Sequence, residues 1–326
     1  LVSYRFHGDD HLRDWYVKKS DVVHKLDSNT PTIAEQIFDD QIDILVDLDS
    51  ATLDTTCEVM ALKPAPIQVS WLGWDAPGLP AIDYYLVDPY VLADGAEQYY
   101  AEKLWRLPQT YLAVDGFEVG VPTLQRSDLD IPKDAIVYLS AQRGHKRYPP
   151  TVHLQMKILK QVPNSYFLIK SPEADGSLRQ SFLDIAAAEG VPENRLRFMP
   201  DVASELEHRA NLAIADVVLD TYPYSGATTT LETLWMEIPL VTRVGETFSS
   251  RNSYTMMANV GVSEGVAWTD EEYITWGVRL GNDETLRQQI SWKLRQAKQT
   301  APLWNGKLFT REVENAYQQM CMKAAN

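Results

Sequence analysis

The chain has 326 residues, enough for about two domains of ~150 residues, each with an apolar core of its own. Hydrophobic residues make up 45% and charged residues 23%, an ordinary globular balance, but 45 acidic against 30 basic side chains leave a net charge of −15. Such a surface repels nucleic acid and anionic membranes, so neither is expected as a partner, while a local basic pocket for a small anion stays open.

The first residues, Leu1-Val2-Ser3-Tyr4-Arg5-Phe6, read as the middle of a strand, with no initiator Met and no signal peptide, so residues are expected before Leu1. An amphipathic stretch at 32–40 precedes a strand at 42–48 (IDILVDL), and further strands are predicted at 84–87 (YYLV) and 135–140 (AIVYLS). Helical periodicity at 150–161 leads to a strand at 165–170 (SYFLIK). Then come a helix at 178–189, a strand at 196–199, a helix at 205–213, a strand at 217–220, a helix at 229–236 and a strand at 239–242. The tail at 283–322 is helical, carries Trp292, Trp304 and Tyr317, and is expected to pack back across the domains. Strands alternating with helices indicate parallel βαβ units, and apolar strands such as Val217-Val218-Leu219 suit burial on both sheet faces. The polar, aperiodic stretch 117–132 is the best linker, which places the domains at 1–130 and 131–326, the first holding few strands and expected to be incomplete.

Two cysteines, Cys57 and Cys321, are too few for a disulfide framework and form no C-x-x-C pair, which points to thiols in a reducing, cytoplasmic setting. No apolar run approaches the ~18 residues of a membrane span.

The densest chemical signal is Asp220-Thr221-Tyr222-Pro223-Tyr224-Ser225-Gly226-Ala227-Thr228-Thr229. A buried strand ends at Asp220, a loop of small residues follows, and a helix begins near Thr229. Open α/β sheets bind ligands outside the carboxyl ends of their strands, and a helix N-terminus offers free N–H groups and a positive dipole end to a diphosphate. Gly226 permits close backbone approach, and Thr228 and Thr229 add hydroxyls. Thr229-x-x-Glu232 is equally a capping box, which needs no ligand. No G-x-G-x-x-G or P-loop motif is present. A second cluster, Gln142-Arg143-Gly144-His145-Lys146-Arg147, follows the strand 135–140; Gln142, Lys146 and Arg147 could meet an anion, or form a solvated basic turn. His208 sits on a helix, where a lone His is usually structural or a surface residue.

Five segments together resemble the glycosyltransferase family that contains protein O-linked N-acetylglucosamine transferase. They are Leu62-Lys63-Pro64-Ala65-Pro66-Ile67-Gln68-Val69 with Trp71-Leu72-Gly73; Gln142 with Lys146; Glu207-His208; Gly226-x-Thr228-Thr229-x-x-Glu232-x-Leu234-Trp235; and Gly245-Glu246-Thr247-x-x-Ser250-Arg251. The resemblance implies an α/β fold of GT-B type, two Rossmann-like domains facing a cleft, that uses a UDP-sugar donor with inversion and without metal or other cofactor. It implies diphosphate contacts for Thr228 and Thr229, a phosphate contact for Gln142, and a stack of His208 on the uracil. Glu232 matches a ribose partner, and Lys146 the lysine that neutralises charge on the leaving UDP. Asp47 matches a carboxylate near the acceptor. Transfer of N-acetylglucosamine to Ser or Thr of a protein is the activity implied; UDP-glucose transfer to Asn, or UDP-sugar binding without turnover as in a scaffold, are the alternatives. Tetratricopeptide repeats usually precede this region in the family and would favour a protein acceptor.

The chain also departs from the family. It reads Asp49-Ser50-Ala51-Thr52 where G-[HY]-T is frequent, and Gly73-Trp74-Asp75-Ala76-Pro77-Gly78 where G-Y-P-G-T-[ST]-G stands near the donor sugar. His7 and His11 do not match the family's upstream His. Asp47-x-Asp49 looks like a metal-binding D-x-D, but the family match accounts for Asp47 without one, and no metal is expected.

Overall fold

The structure, a computed structural model, describes residues 1–5, 13–27, 29–170, 176–200, 202 and 204–324. His7 and His11 lie outside them. The contacts divide the chain into two compact units: unit 1 is Leu1–Asp88, Asp94–Tyr111 and Thr310–Asn326, and unit 2 is Pro89–Ala93 and Leu112–Phe309. The division therefore falls at Tyr111/Leu112 rather than near residue 130, and the C-terminal residues count with unit 1. The polar stretch beyond Leu112 is stitched to unit 2. Trp235 Nε1 donates to the Phe117 carbonyl at 2.9 Å, the Gly120 amide to the Leu206 carbonyl at 3.0 Å, and the Thr123 amide to Asn211 at 2.8 Å.

Unit 1 runs β1 (Val2–Arg5), α1 (Arg13–Lys19), β2 (Val22–Lys25), α2 (Thr30–Asp39), β3 (Ile44–Asp47), α3 (Asp54–Ala61), β4 (Ile67–Ser70), β5 (Tyr84–Val87) and β6 (Lys103–Arg106). β1 and β2 form a parallel pair, and the other four strands form a parallel sheet in the order β3-β4-β5-β6. Asn29 caps α2, its side chain accepting from the Thr32 amide at 3.1 Å, and Pro31 stands in the first turn, where a missing N–H costs nothing. The helix buries Ile33 and Ile37 against Val59, with Tyr4, Leu26, Ile42 and Leu45 around them.

Unit 2 continues with β7 (Ile136–Ser140), α4 (Pro149–Gln161), β8 (Ser165–Lys170), α5 (Gly176–Glu189), β9 (Leu196–Met199), α6 (Glu205–Asn211), β10 (Val217–Leu219), α7 (Thr228–Trp235), β11 (Leu240–Arg243), α8 (Asn252–Asn259), β12 (Val266–Ala267), α9 (Asp270–Asn282) and α10 (Glu284–Thr300). The helix α11 (Gly306–Ala324) closes the chain. All six strands are parallel, in the order β12-β11-β10-β7-β8-β9. Counted from β7, this is the Rossmann order 3-2-1-4-5-6, in which strand order reverses between β7 and β10 and opens a crevice at their carboxyl ends. The central strands read as continuous apolar runs because helices cover both faces: Val137, Tyr138, Leu139, Phe167, Leu168 and Ile169 are fully buried. Over the sheet, Gly277 of α9 leaves room for Ile158 of α4, and its carbonyl accepts from Tyr138 Oη at 2.7 Å.

Candidate active site at the carboxyl ends of β7 and β10

Both sequence clusters leave the sheet at the reversal point, and the structure brings them together. The loop after β10 is organised by Asp220, which is fully buried. Its Oδ1 accepts from the Thr221 amide at 2.8 Å, the Gly226 amide at 2.8 Å and Gln142 Nε2 at 2.9 Å, and its Oδ2 from Thr242 Oγ1 at 2.7 Å. Burial pushes this carboxyl up, and the hydrogen bonds from Ser253, Thr242, Gly226 and Thr221 oppose that by favouring the charged form. A second brace comes from the segment around Phe248–Ser250. The Ser225 amide and Oγ both donate to the Ser249 carbonyl, at 2.9 and 2.8 Å, and Ser253 Oγ donates to the Gly226 carbonyl at 3.2 Å. Arg251 fixes that brace in turn, donating to the carbonyls of Gly245 and Tyr90.

The loop delivers the chain into α7, whose N-cap is Ala227 with no side-chain cap. The capping box is not formed. Thr229 lies inside the first turn, and Glu232 faces His208 and Arg209 instead. Among the described residues nothing accepts from the amides of Thr228 and Thr229, and the buried Thr229 Oγ1 has no partner. Gly226 borders the same spot: a Cβ there would stand 2.8 Å from Thr229 Oγ1 and collide with Thr230 Oγ1. Bare amides, an unpaired hydroxyl and the dipole's positive end make an anion cradle.

Lys146 meets this loop from β7. Its Nζ donates to the Ser225 carbonyl at 3.1 Å and lies 3.6 Å from the centroid of the Tyr224 ring. Burial pushes the lysine down to about 8; the Asp220 charge raises it and Arg143 lowers it. Gln142 is 2% exposed, with one amide N–H spent on Asp220, so its placement suits orienting the loop better than meeting a phosphate directly. Arg147 turns inward too, donating to the carbonyls of Ser140, Gln142 and Lys170 and tying the ends of β7 and β8 together.

His208 and Glu232 form a neighbouring group. His208 Nε2 lies 3.6 Å from Glu232, Arg209 lies 3.9 Å from the same carboxylate, and Lys170 Nζ lies 3.5 Å from His208 Nδ1. Both side chains are buried, which suits a polar pair shaping a subsite more than a surface histidine.

Asp47 belongs to unit 1, at the end of β3, and is 2% exposed. Its Oδ1 accepts from the amides of Asp49 and Ser50, at 2.9 and 2.8 Å, and its Oδ2 has no partner. Burial pushes the carboxyl up, and those two amides oppose it. It holds the turn in which Ser50 adopts a positive φ of 54°. Asp49 instead accepts from Thr56 Oγ1 at 3.0 Å. Among the described residues no group of three or more His, Cys, Asp or Glu side chains is placed to hold a metal ion. Nor is any described helix long and apolar enough to cross a membrane. Sequence reasoning missed the organising roles of Asp220, Ser225 and Ser253; a carboxylate ending an apolar strand was the available signal for the first.

The profile of glycosyl transferase family 41 matches residues 16–121 and 116–313. The chain is 31% identical over 314 residues to a probable UDP-N-acetylglucosamine–peptide N-acetylglucosaminyltransferase SPINDLY of Hordeum vulgare, covering 95% of this chain and 33% of the relative. It is 32% identical over 314 residues to the Arabidopsis thaliana protein SEC of the same designation, covering 93% and 32%. The chain thus spans about a third of the length of these curated relatives. A mutant O-GlcNAc transferase from Thermobaculum terrenum superposes with a TM-score of 0.90 at 29% identity, over 99% of this chain and 62% of that one. A structure of Anabaena HepE with UDP and glucose, at 12% identity and a TM-score of 0.61, shares the fold alone. Two parallel-sheet α/β units of GT-B class and a matching profile along nearly the whole sequence place the chain in glycosyl transferase family 41.

Proposed function

We propose that the chain carries the catalytic region of an inverting glycosyltransferase that moves N-acetylglucosamine from UDP-N-acetylglucosamine to Ser or Thr of a protein acceptor, without a metal. One observation carries this reading: the Lys146 ammonium, reaching over from the end of β7, is hydrogen-bonded to the loop that presents the open N-terminus of α7. The diphosphate then rests on the Thr228 and Thr229 amides and on Thr229 Oγ1, and His208 with Glu232 supplies the nucleoside subsite. The acceptor hydroxyl oxygen attacks the anomeric carbon from the face opposite the leaving diphosphate and gives up its proton to water, so the new C–O bond forms as the old one breaks and configuration inverts. UDP leaves with the bonding electron pair. Charge grows on its terminal phosphate, where the fixed dipole and Lys146 stabilise it more than they stabilise the ground state. Loss of one such donor typically costs about 3 kcal/mol of transition-state stabilisation. Asp47 acts on the acceptor side by holding the turn at Ser50.

The names of the relatives, which specify UDP-N-acetylglucosamine and a peptide acceptor, support the choice of donor and acceptor. The net charge of −15 and two free thiols, Cys57 and Cys321, support a cytoplasmic protein without nucleic-acid or membrane partners. The test is incubation with radiolabelled UDP-N-acetylglucosamine and UDP-glucose in parallel and mapping of the labelled side chain by mass spectrometry. Label on Ser or Thr from the first donor is expected. Label on Asn from UDP-glucose would reassign the enzyme, and UDP binding with no transfer from either donor would make it a binding protein.

A further inference from the structure

Lys146 is a flexible ammonium in a half-buried place, and something must hold it where a phosphate can use it. Its Nζ has three N–H donors. The Ser225 carbonyl takes one at 3.1 Å, and the Tyr224 ring lies 3.6 Å below the ammonium, well inside the ~6 Å range of cation–π attraction. The ring itself is fixed by its backbone: the Tyr224 carbonyl accepts from Thr221 Oγ1 at 2.6 Å, and the next residue is pinned to the Ser249 carbonyl. The charged groups that face Lys146 are Asp220 at the end of β10 and Arg143 on its own loop. Asp220 spends its oxygens on Thr221, Gly226, Gln142 and Thr242, so it supplies field but no hydrogen bond to the lysine.

We propose that Tyr224 is a positioning residue for Lys146: its ring face and the Ser225 carbonyl clamp the ammonium so that its two remaining N–H donors are presented to a diphosphate on the N-terminus of α7. The inference rests on the diphosphate reading of this site. The clamp removes the lysine's rotamer freedom before the ligand arrives, and the ring's negative face favours the charged amine without competing for a hydrogen-bond donor. A phenyl ring does the same work, whereas an aliphatic side chain of similar size fills the space without it.

The test is calorimetric titration of the full chain with UDP at pH 7.0 and pH 8.5, comparing wild type with Tyr224→Phe, Tyr224→Leu and Lys146→Ala, each checked for native circular dichroism. Tyr224→Phe is expected to bind within about twofold of wild type at both pH values, and Tyr224→Leu about three- to tenfold more weakly at pH 8.5 with a smaller loss at pH 7.0. A merely structural part for the ring would weaken binding equally at both. Tyr224→Leu with wild-type affinities and an unchanged ratio between the two pH values overturns the proposal. Wild-type protein that does not bind UDP, or a Lys146→Ala variant that binds as well as wild type, overturns the diphosphate reading itself. If Tyr224→Leu does not fold, Tyr224→Met takes its place under the same criteria.

Discussion

A lysine pushed down to about 8 converts the proposed site into one whose affinity titrates. If only the ammonium form of Lys146 supports the diphosphate, nearly all molecules are competent at pH 7 and about a tenth at pH 9. Apparent UDP affinity then falls about tenfold across that interval, since apparent affinity scales with the competent fraction. The last ionisation of a phosphate lies near ~6, so the ligand's own charge is constant over the same range. Binding must also take up protons, because UDP favours the charged amine: uptake is close to zero at pH 7 and approaches one proton per UDP at about pH 9. Calorimetry in buffers of different ionisation enthalpy reads that number directly. Lys146→Arg, whose guanidinium stays charged throughout, is expected to flatten the profile, and Lys146→Ala to weaken binding and abolish proton uptake. The same lowering has a stability consequence of opposite sign to a salt bridge. The desolvated ammonium disfavours the folded state at pH values below about 8, and that penalty is relieved as pH rises from there towards the unfolded lysine's ordinary value. A wild-type affinity for UDP that is flat from pH 7 to 9, with no proton uptake, refutes the reasoning.

Gly226→Ala is expected to destabilise the fold by about 1–3 kcal/mol and to weaken UDP binding, because the new Cβ meets Thr229 Oγ1 and Thr230 Oγ1 while Asp220 and Ser253 hold the backbone in place; urea denaturation with matched UDP titrations reads both effects. Asp220→Asn turns a donor towards the amides of Thr221 and Gly226 and is expected to cost about 3 kcal/mol, more than a surface change allows; an unchanged melting temperature would remove Asp220 as organiser of the loop. Glu232→Gln is expected to weaken UDP binding while leaving pyrophosphate binding near wild type, since Glu232 neighbours His208 and not the N-terminal amides of α7; competition titrations with the two ligands separate these.

Five of the six unit 2 strands were legible because their apolar runs are short and bounded by turn residues, and those at 165–170 and 196–199 coincide with β8 and β9; β12, only two residues long, was missed. β4 was missed although it lies in a quoted motif. It is four residues long, and its Gln68 reads as polar until its side chain is seen donating to the carbonyls of Met60 and Ala81. β6 escaped for a related reason, since its sequence KLWR has charged ends and exposes both. Helices α8 and α9 lay in the unread interval before the predicted tail; α9 announces itself by Thr269, whose side chain accepts from the Glu272 amide. At the site, the helix N-terminus and the basic cluster were visible as residues at strand ends. Their meeting was not, because it follows from the reversal of strand order between β7 and β10, a property of the whole sheet. The inward turn of Gln142 and Arg147 was equally hidden, since a polar residue's sequence does not say whether water or a buried carbonyl satisfies it.

The most direct measurement is a crystal structure of the chain with UDP. Diphosphate oxygens should lie within about 3 Å of the Thr228 and Thr229 amides and of Lys146 Nζ, with the nucleoside beside His208 and Glu232. UDP bound with its phosphates away from α7, or with Lys146 still turned from them, would contradict the account.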